Sequence, residues 1–118
     1  MAQALRAAGA HVEVHDDHFP SDALDETWLG VVGERGWVVL TKDRRIRYRT
    51  TALSVMRAAG VRVFVLTAGD LQGWEMANVF VRALARMRRF VARNPAPFVA
   101  RVTRGASVSA LVSARERR

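Results

Sequence analysis

The feature that most limits how this chain can fold is the run Trp37-Val38-Val39-Leu40-Thr41, apolar throughout and set between Gly36 and Lys42. A strand with one wet face alternates apolar and polar residues. An unbroken apolar run suits a strand covered on both faces, as in parallel sheets whose crossover helices lie above and below. A second such run, Val61-Arg62-Val63-Phe64-Val65-Leu66, follows after a helical stretch over about 51–59 that Gly60 closes. Strand, helix and strand in that order make a parallel crossover unit.

The rest of the pattern extends this alternation. Ala2 to Gly9 is Ala-rich and glycine-closed, which predicts the end of a helix. His11-Val12-Glu13-Val14 alternates and predicts a short strand. A polar loop over His15–Ser21 precedes a helix from about Ala23 to Arg35, with Leu24, Trp28, Leu29 and Val32 facing the core. From Asp70 the positions Met76, Val79, Phe80, Ala83, Leu84, Met87, Phe90 and Val91 recur every three or four residues, the stripe of a long helix packed on a core. Asn94-Pro95-Ala96-Pro97 stops it, and Phe98 to Thr103 is expected as the last strand. The expected fold is three-layer α/β/α with a mainly parallel sheet. At 118 residues it is one domain, over 1–104, followed by a basic tail over 105–118. Such sheets normally open on a strand, whereas this chain opens on a helix.

Composition narrows the function. No cysteine is present, which removes disulfides and thiolate metal sites and agrees with a cytoplasmic protein. No apolar run approaches membrane-spanning length, and residues 1–6 do not read as a signal peptide. The net charge of +8 is unevenly spread. Residues 1–43 hold three basic and eight acidic side chains, a balance of −5, and residues 44–118 hold sixteen and three, a balance of +13. An acidic site beside a basic surface is expected, with nucleic acid as the commonest partner of such a surface.

Asp43 ends the buried strand after Thr41 and Lys42, at the sheet edge where ligands of α/β folds bind. A carboxylate held there by rigid backbone suits Mg²⁺ or Mn²⁺; it suits equally a helix N-cap aspartate following a strand. Asp25 and Glu26 fall in the first turn of a helix, where acidic residues ordinarily serve the helix dipole. His15-Asp16-Asp17-His18 is rich in ligand types, but neighbouring residues point different ways, so a solvated loop is expected. Arg44, Arg45, Arg47 and Arg49 follow Asp43 directly, where a phosphodiester would need positive charge. Arg82, Arg86, Arg89 and Arg93 share one helix face, either solvated or set against an anion. Trp28, Trp37 and Trp74 read as packing residues. Phosphate loops, dinucleotide fingerprints and serine-triad signatures are missing.

Taken in order, Leu5 to Val12, then Asp25-Glu26-Thr27-Trp28-Leu29, then Gly36 to Asp43, then Val63 to Leu66, resemble the PIN-like family in its VapC-type toxin group, over about residues 3–93. The resemblance implies a Mg²⁺- or Mn²⁺-dependent single-strand RNA endonuclease acting as the toxin of a toxin–antitoxin pair. Asp25 and Asp43 would then be metal ligands, with Glu26, Thr41 and Lys42 beside them in the catalytic set. Arg44, Arg45, Arg47, Arg82, Arg86 and Arg89 would contact RNA. The partners implied are RNA, an antitoxin protein and, in a homodimer, a second copy. Family members begin with a strand that ends in a metal-binding aspartate, and no residue here matches it. The expected explanation is an original start roughly twenty residues upstream of Met1. The competing reading is a truncated or degenerate PIN-like module that binds RNA or protein without catalysis. A receiver-like or nucleotide-binding domain fits less well, for want of a phosphate loop and an acidic pocket.

Overall fold

A computed structural model of the chain describes residues 1–114. Helices α1 (Ala2–Ala7), α2 (His15–His18) and α3 (Asp25–Glu34) lead to strand β1 (Val38–Thr41). A 3-10 turn (Ile46–Tyr48) and α4 (Thr50–Ala59) carry the chain to β2 (Arg62–Leu66), and α5 (Gly73–Arg93) carries it to β3 (Phe98–Val102) and β4 (Val108–Val112). The four strands lie in sequence order. β1 pairs with β2 and β2 with β3 in parallel, and β4 closes the far edge antiparallel to β3. The mainly parallel α/β architecture expected from the alternation is the one observed.

Side-chain alternation along β2 divides the core in two. Val63 and Val65 point toward α3 and α4, where they pack with Leu29, Val32, Ala52 and Met56. Phe64 and Leu66 point the other way, against α5 and α1, with Phe80, Ala83, Met87 and Leu5. Each of these β2 residues is at most 1% exposed, so the strand is covered on both faces as its unbroken apolar run requires. Three aromatic rings, Phe64, Phe90 and Phe98, meet edge-to-face in the α5 layer at centroid distances of 4.8 to 5.9 Å, an arrangement favoured by their quadrupoles.

β1 is the other edge. Among the described residues no strand pairs with its outer side, and Val38 is 41% exposed. Across from it run residues 10–14, which form no regular element although a strand was expected over His11–Val14, and which pair with no strand among the described residues. Alternation made that segment strand-like, but a strand also needs a neighbour for its ladder, and β1 lies across an apolar cavity of about 590 Å³. Leu5, Val12, Val39, Phe64, Met87 and Val91 are among its lining residues. Residues 10–14 are held instead by Arg6, whose Nε and Nη2 both donate to the Val12 carbonyl, at 3.2 and 2.6 Å.

Other expectations are corrected. The loop at His15 contains the one-turn helix α2. Leu24 is not on the core face of α3 but caps its start and is 63% exposed. Trp74, read as a packing residue, is 72% exposed. The long helix starts not at Asp70, which takes a left-handed turn at φ 59, but after Gln72, whose backbone N–H donates to Glu75 Oε1 at 2.9 Å. Phe98–Val102 is not the last strand. The segment from 105, expected as a tail, turns back as β4, and only its last four residues lie outside the described part. Gly105 is the turn signal within residues 103–107, and Thr103 Oγ1 accepts the Ser107 N–H at 3.2 Å and ties the hairpin.

α3 and α4 approach closely at Gly33. A Cβ there would meet the Ala59 carbonyl oxygen and Cβ at 2.6 Å, whereas one at Gly30 in the same helix would meet nothing within 4 Å. Gly30→Ala is expected to stabilise by up to about 1 kcal/mol through helix propensity. Gly33→Ala is expected to lose a net ~1 kcal/mol or more, because overpacking outweighs the same gain. Paired thermal denaturations test this, and equal shifts in Tm would refute the close packing.

Candidate active site

Because β1 and β2 run parallel, the loops leaving their carboxyl ends share one edge of the sheet, and the helix that precedes β1 begins there too. Asp25 opens α3 at that edge and Asp43 leaves β1 two residues after Thr41. The turn after β1 is locked locally. Thr41 Oγ1 accepts the Asp43 N–H at 3.0 Å, and Asp43 Oδ1 accepts the Arg45 N–H at 3.1 Å. Trp28 Nε1–H donates to Asp25 Oδ1 at 3.2 Å from one turn further along α3. Each aspartate thus has one oxygen committed to orienting it.

The two remaining oxygens converge on Arg49. Its Nε donates to Asp25 Oδ2 and its Nη1 to Asp43 Oδ2, both at 2.7 Å. Both bonds are short and charge-assisted. The hydrogen bond to Asp43 is the main cause raising the Arg49 pKa above its ordinary high value; desolvation opposes it, and the bond to Asp25 adds to it. The Arg49 side chain is 40% exposed, so this is a half-wet ion-pair triad and not a buried one.

The structure brings Asp25, Asp43 and Thr41 together and leaves other expected residues apart. Glu26 and Lys42 are exposed and make no hydrogen bond or ion pair among the described residues. Arg44 reaches the Thr67 carbonyl across the sheet edge at 3.5 Å. Arg47 lies over the ring of Tyr48, 4.5 Å from its centroid, and bonds its hydroxyl. Tyr48 is 68% exposed, a flat surface beside the acidic pair that single-residue reasoning passed over. The α5 arginines are differently employed. Arg82 donates to the Arg104 carbonyl at 2.7 Å and Arg86 to that of Ala106 at 3.0 Å, so both fasten the β3–β4 hairpin. Arg89 is exposed, and α5 runs back from the site edge, carrying Arg89 about 24 Å along its axis from the helix start. Arg44, Arg45 and Arg47 therefore do not form one patch with it.

His15–His18 holds no metal cluster; no group of three or more His, Cys, Asp or Glu among the described residues could hold an ion. Glu13, outside that run, pairs with His18 at 2.9 Å and His11 at 3.2 Å. The His18 hydrogen bond is the main cause lowering its pKa. Asp25 and Asp43 are the converging pair. Two hard carboxylate oxygens sharing one cation are the right donor chemistry for Mg²⁺ or Mn²⁺, which accept one or two protein carboxylates and complete their shell with water and phosphate. The cation between them here is a guanidinium.

Residues 1–68 match the family described as PIN like domain. The chain belongs to that family. The PIN-like match covers α1 through β2, and so includes Asp25, Asp43 and Arg49. The VapC45 protein of Mycobacterium tuberculosis, whose name describes a ribonuclease, is 28% identical over 101 residues, covering 82% of this chain and 72% of its own. No solved structure matches this PIN-like chain. Among the described residues no helix is long and apolar enough to cross a membrane.

Arg49→Gln and Asp43→Asn are expected to be non-additive, because the two side chains share the ion pair. A double-mutant cycle by urea denaturation is expected to give about 0.5–1 kcal/mol, a value scaled to half-exposed groups, that shrinks in about 1 M salt. Strict additivity at low salt would show that the Arg49–Asp43 bond contributes nothing.

Proposed function

We propose that this PIN-like chain is a Mg²⁺- or Mn²⁺-dependent endonuclease of single-stranded RNA, the cytoplasmic toxin of a toxin–antitoxin pair, with an antitoxin protein as its regulator. The observation that carries this reading is the convergence of Asp25 and Asp43, from separate elements, on one cation at the carboxyl edge of a parallel sheet. The family match and the ribonuclease name of the mycobacterial relative support it.

The chain's own residues would divide the work as follows. Asp25 and Asp43 would hold the ion, oriented by Trp28 and by the Thr41 and Arg45 contacts. When bound, a divalent ion supplies an activated water and neutralises charge growing on the phosphate. Arg44, Arg45 and Lys42, exposed around Asp43, would draw the phosphate backbone to the edge. Tyr48, backed by Arg47, offers a stacking surface for an unpaired base.

The non-catalytic reading has one observation in its favour: Glu26 does not join the pair, and among the described residues no third carboxylate does. Both readings meet in one assay. Cleavage of single-stranded RNA with Mg²⁺ is expected to fall at least about a hundredfold in Asp43→Ala and in Asp25→Asn, since metal-ion catalysis supplies several kcal/mol. RNA binding with no cleavage by the parent chain would leave the binding-module reading; equal cleavage by parent and variants would remove both aspartates from the chemistry.

A further inference from the structure

Arg49 occupies the place between the two carboxylates that the proposed function assigns to a metal. We infer that Arg49 is an exchangeable internal counter-cation: a divalent ion enters the Asp25–Asp43 pair only by displacing its guanidinium. The inference rests on the metal-dependent reading of that pair and says how the pair is kept when no ion is present.

Charge counting carries the first step. Two carboxylates and one guanidinium leave the triad at −1, so it still attracts a cation. A divalent ion replacing Arg49 brings the same pair to neutrality. With Arg49 retained, the two cations would face each other across the same oxygens. At 2.7 Å from both Oδ2 atoms, the guanidinium also takes the acceptor positions an ion would coordinate. Repulsion between the two cations and competition for the same acceptor positions make occupancy exclusive.

Exchange needs a side chain that can leave while its backbone stays. Arg49 sits at the start of α4, where its carbonyl accepts the Leu53 N–H at 2.9 Å, and its φ of −80 is unstrained. The side chain is 40% exposed and can swing to water without moving α4. The aspartates, in contrast, are fixed through their other oxygens by Trp28 and Arg45. The pair therefore keeps its geometry when the arginine departs. Arg44, Arg45, Arg47 and Lys42 flank Asp43 and Arg49 in the sequence and add positive charge that opposes a free divalent ion, so an anionic phosphate arriving with the ion would favour the exchange.

The test is Mn²⁺ binding by the full chain, followed by electron paramagnetic resonance and calorimetry without RNA. Arg49→Met is expected to bind one Mn²⁺ about tenfold tighter than the parent, and the added Asp43→Asn change to abolish that gain. Arg49→Lys should fall between. A folded Arg49→Met variant that binds Mn²⁺ no tighter than the parent would overturn the exchange. A second measurement needs no substitution. In the parent chain the Arg49 Nε–H resonance is expected to shift as diamagnetic Mg²⁺ saturates the site, and an unmoved resonance at saturation overturns the inference even if Arg49→Met does not fold. The two readings fail separately: Mg²⁺-dependent RNA cleavage with no gain in Arg49→Met removes the exchange alone, whereas tighter Mn²⁺ binding without cleavage removes the nuclease alone.

Discussion

Everything at the site hangs on β2 being dry on both faces. Val63, Phe64, Val65 and Leu66 are each at most 1% exposed, and at roughly 25 cal/mol per Å² of apolar area the burial of four such side chains is among the larger single contributions to the fold. Two helical layers must be held against this strand at once. That requirement sets α3 and α4 on one side and α5 on the other, aligns β1 beside β2, and brings the start of α3 to the carboxyl edge of β1. Asp25 and Asp43 are 18 residues apart in sequence and share one arginine because of this layering.

The parts readable from sequence were those with strong periodicity. The α5 stripe, the two apolar strands and the glycine that ends α4 in a left-handed conformation were all visible, because each rests on local geometry that few other folds satisfy. What local pattern could not show was pairing. Residues 11–14 alternate as a strand does but have no ladder partner among the described residues, and Val108–Val112 pairs with β3 although Ser107 and Ser109 dilute its apolar signal. Asp70 has a helix-capping side chain yet adopts a left-handed turn, and the reciprocal spacing of Gln72 and Glu75 was the better signal.

The site was legible in its acids and not in its base. Asp43 stood out by position and Asp25 by resemblance. Arg49 was visible only as one of several positive charges expected to face phosphate. Its actual partners are the carboxylates, because the 3-10 turn between β1 and α4 brings the start of α4 back over the strand end. The charge segregation along the chain is therefore partly an internal matter: Arg49 answers Asp25 and Asp43, while Arg82 and Arg86 answer hairpin carbonyls. Arg82 and Arg86 keep their charge while bonding neutral carbonyls, so of these three only Arg49 is drawn away from the surface left for a polyanion.

The forked contact from Arg6 to the Val12 carbonyl has a bearing on the open edge of the sheet. It holds residues 10–14 opposite β1 across the apolar cavity, while the outer main-chain groups of β1 have no ladder partner among the described residues, as at any open sheet edge. The guard on that side of the sheet is therefore one forked side-chain contact to a single carbonyl, and not a fifth ladder.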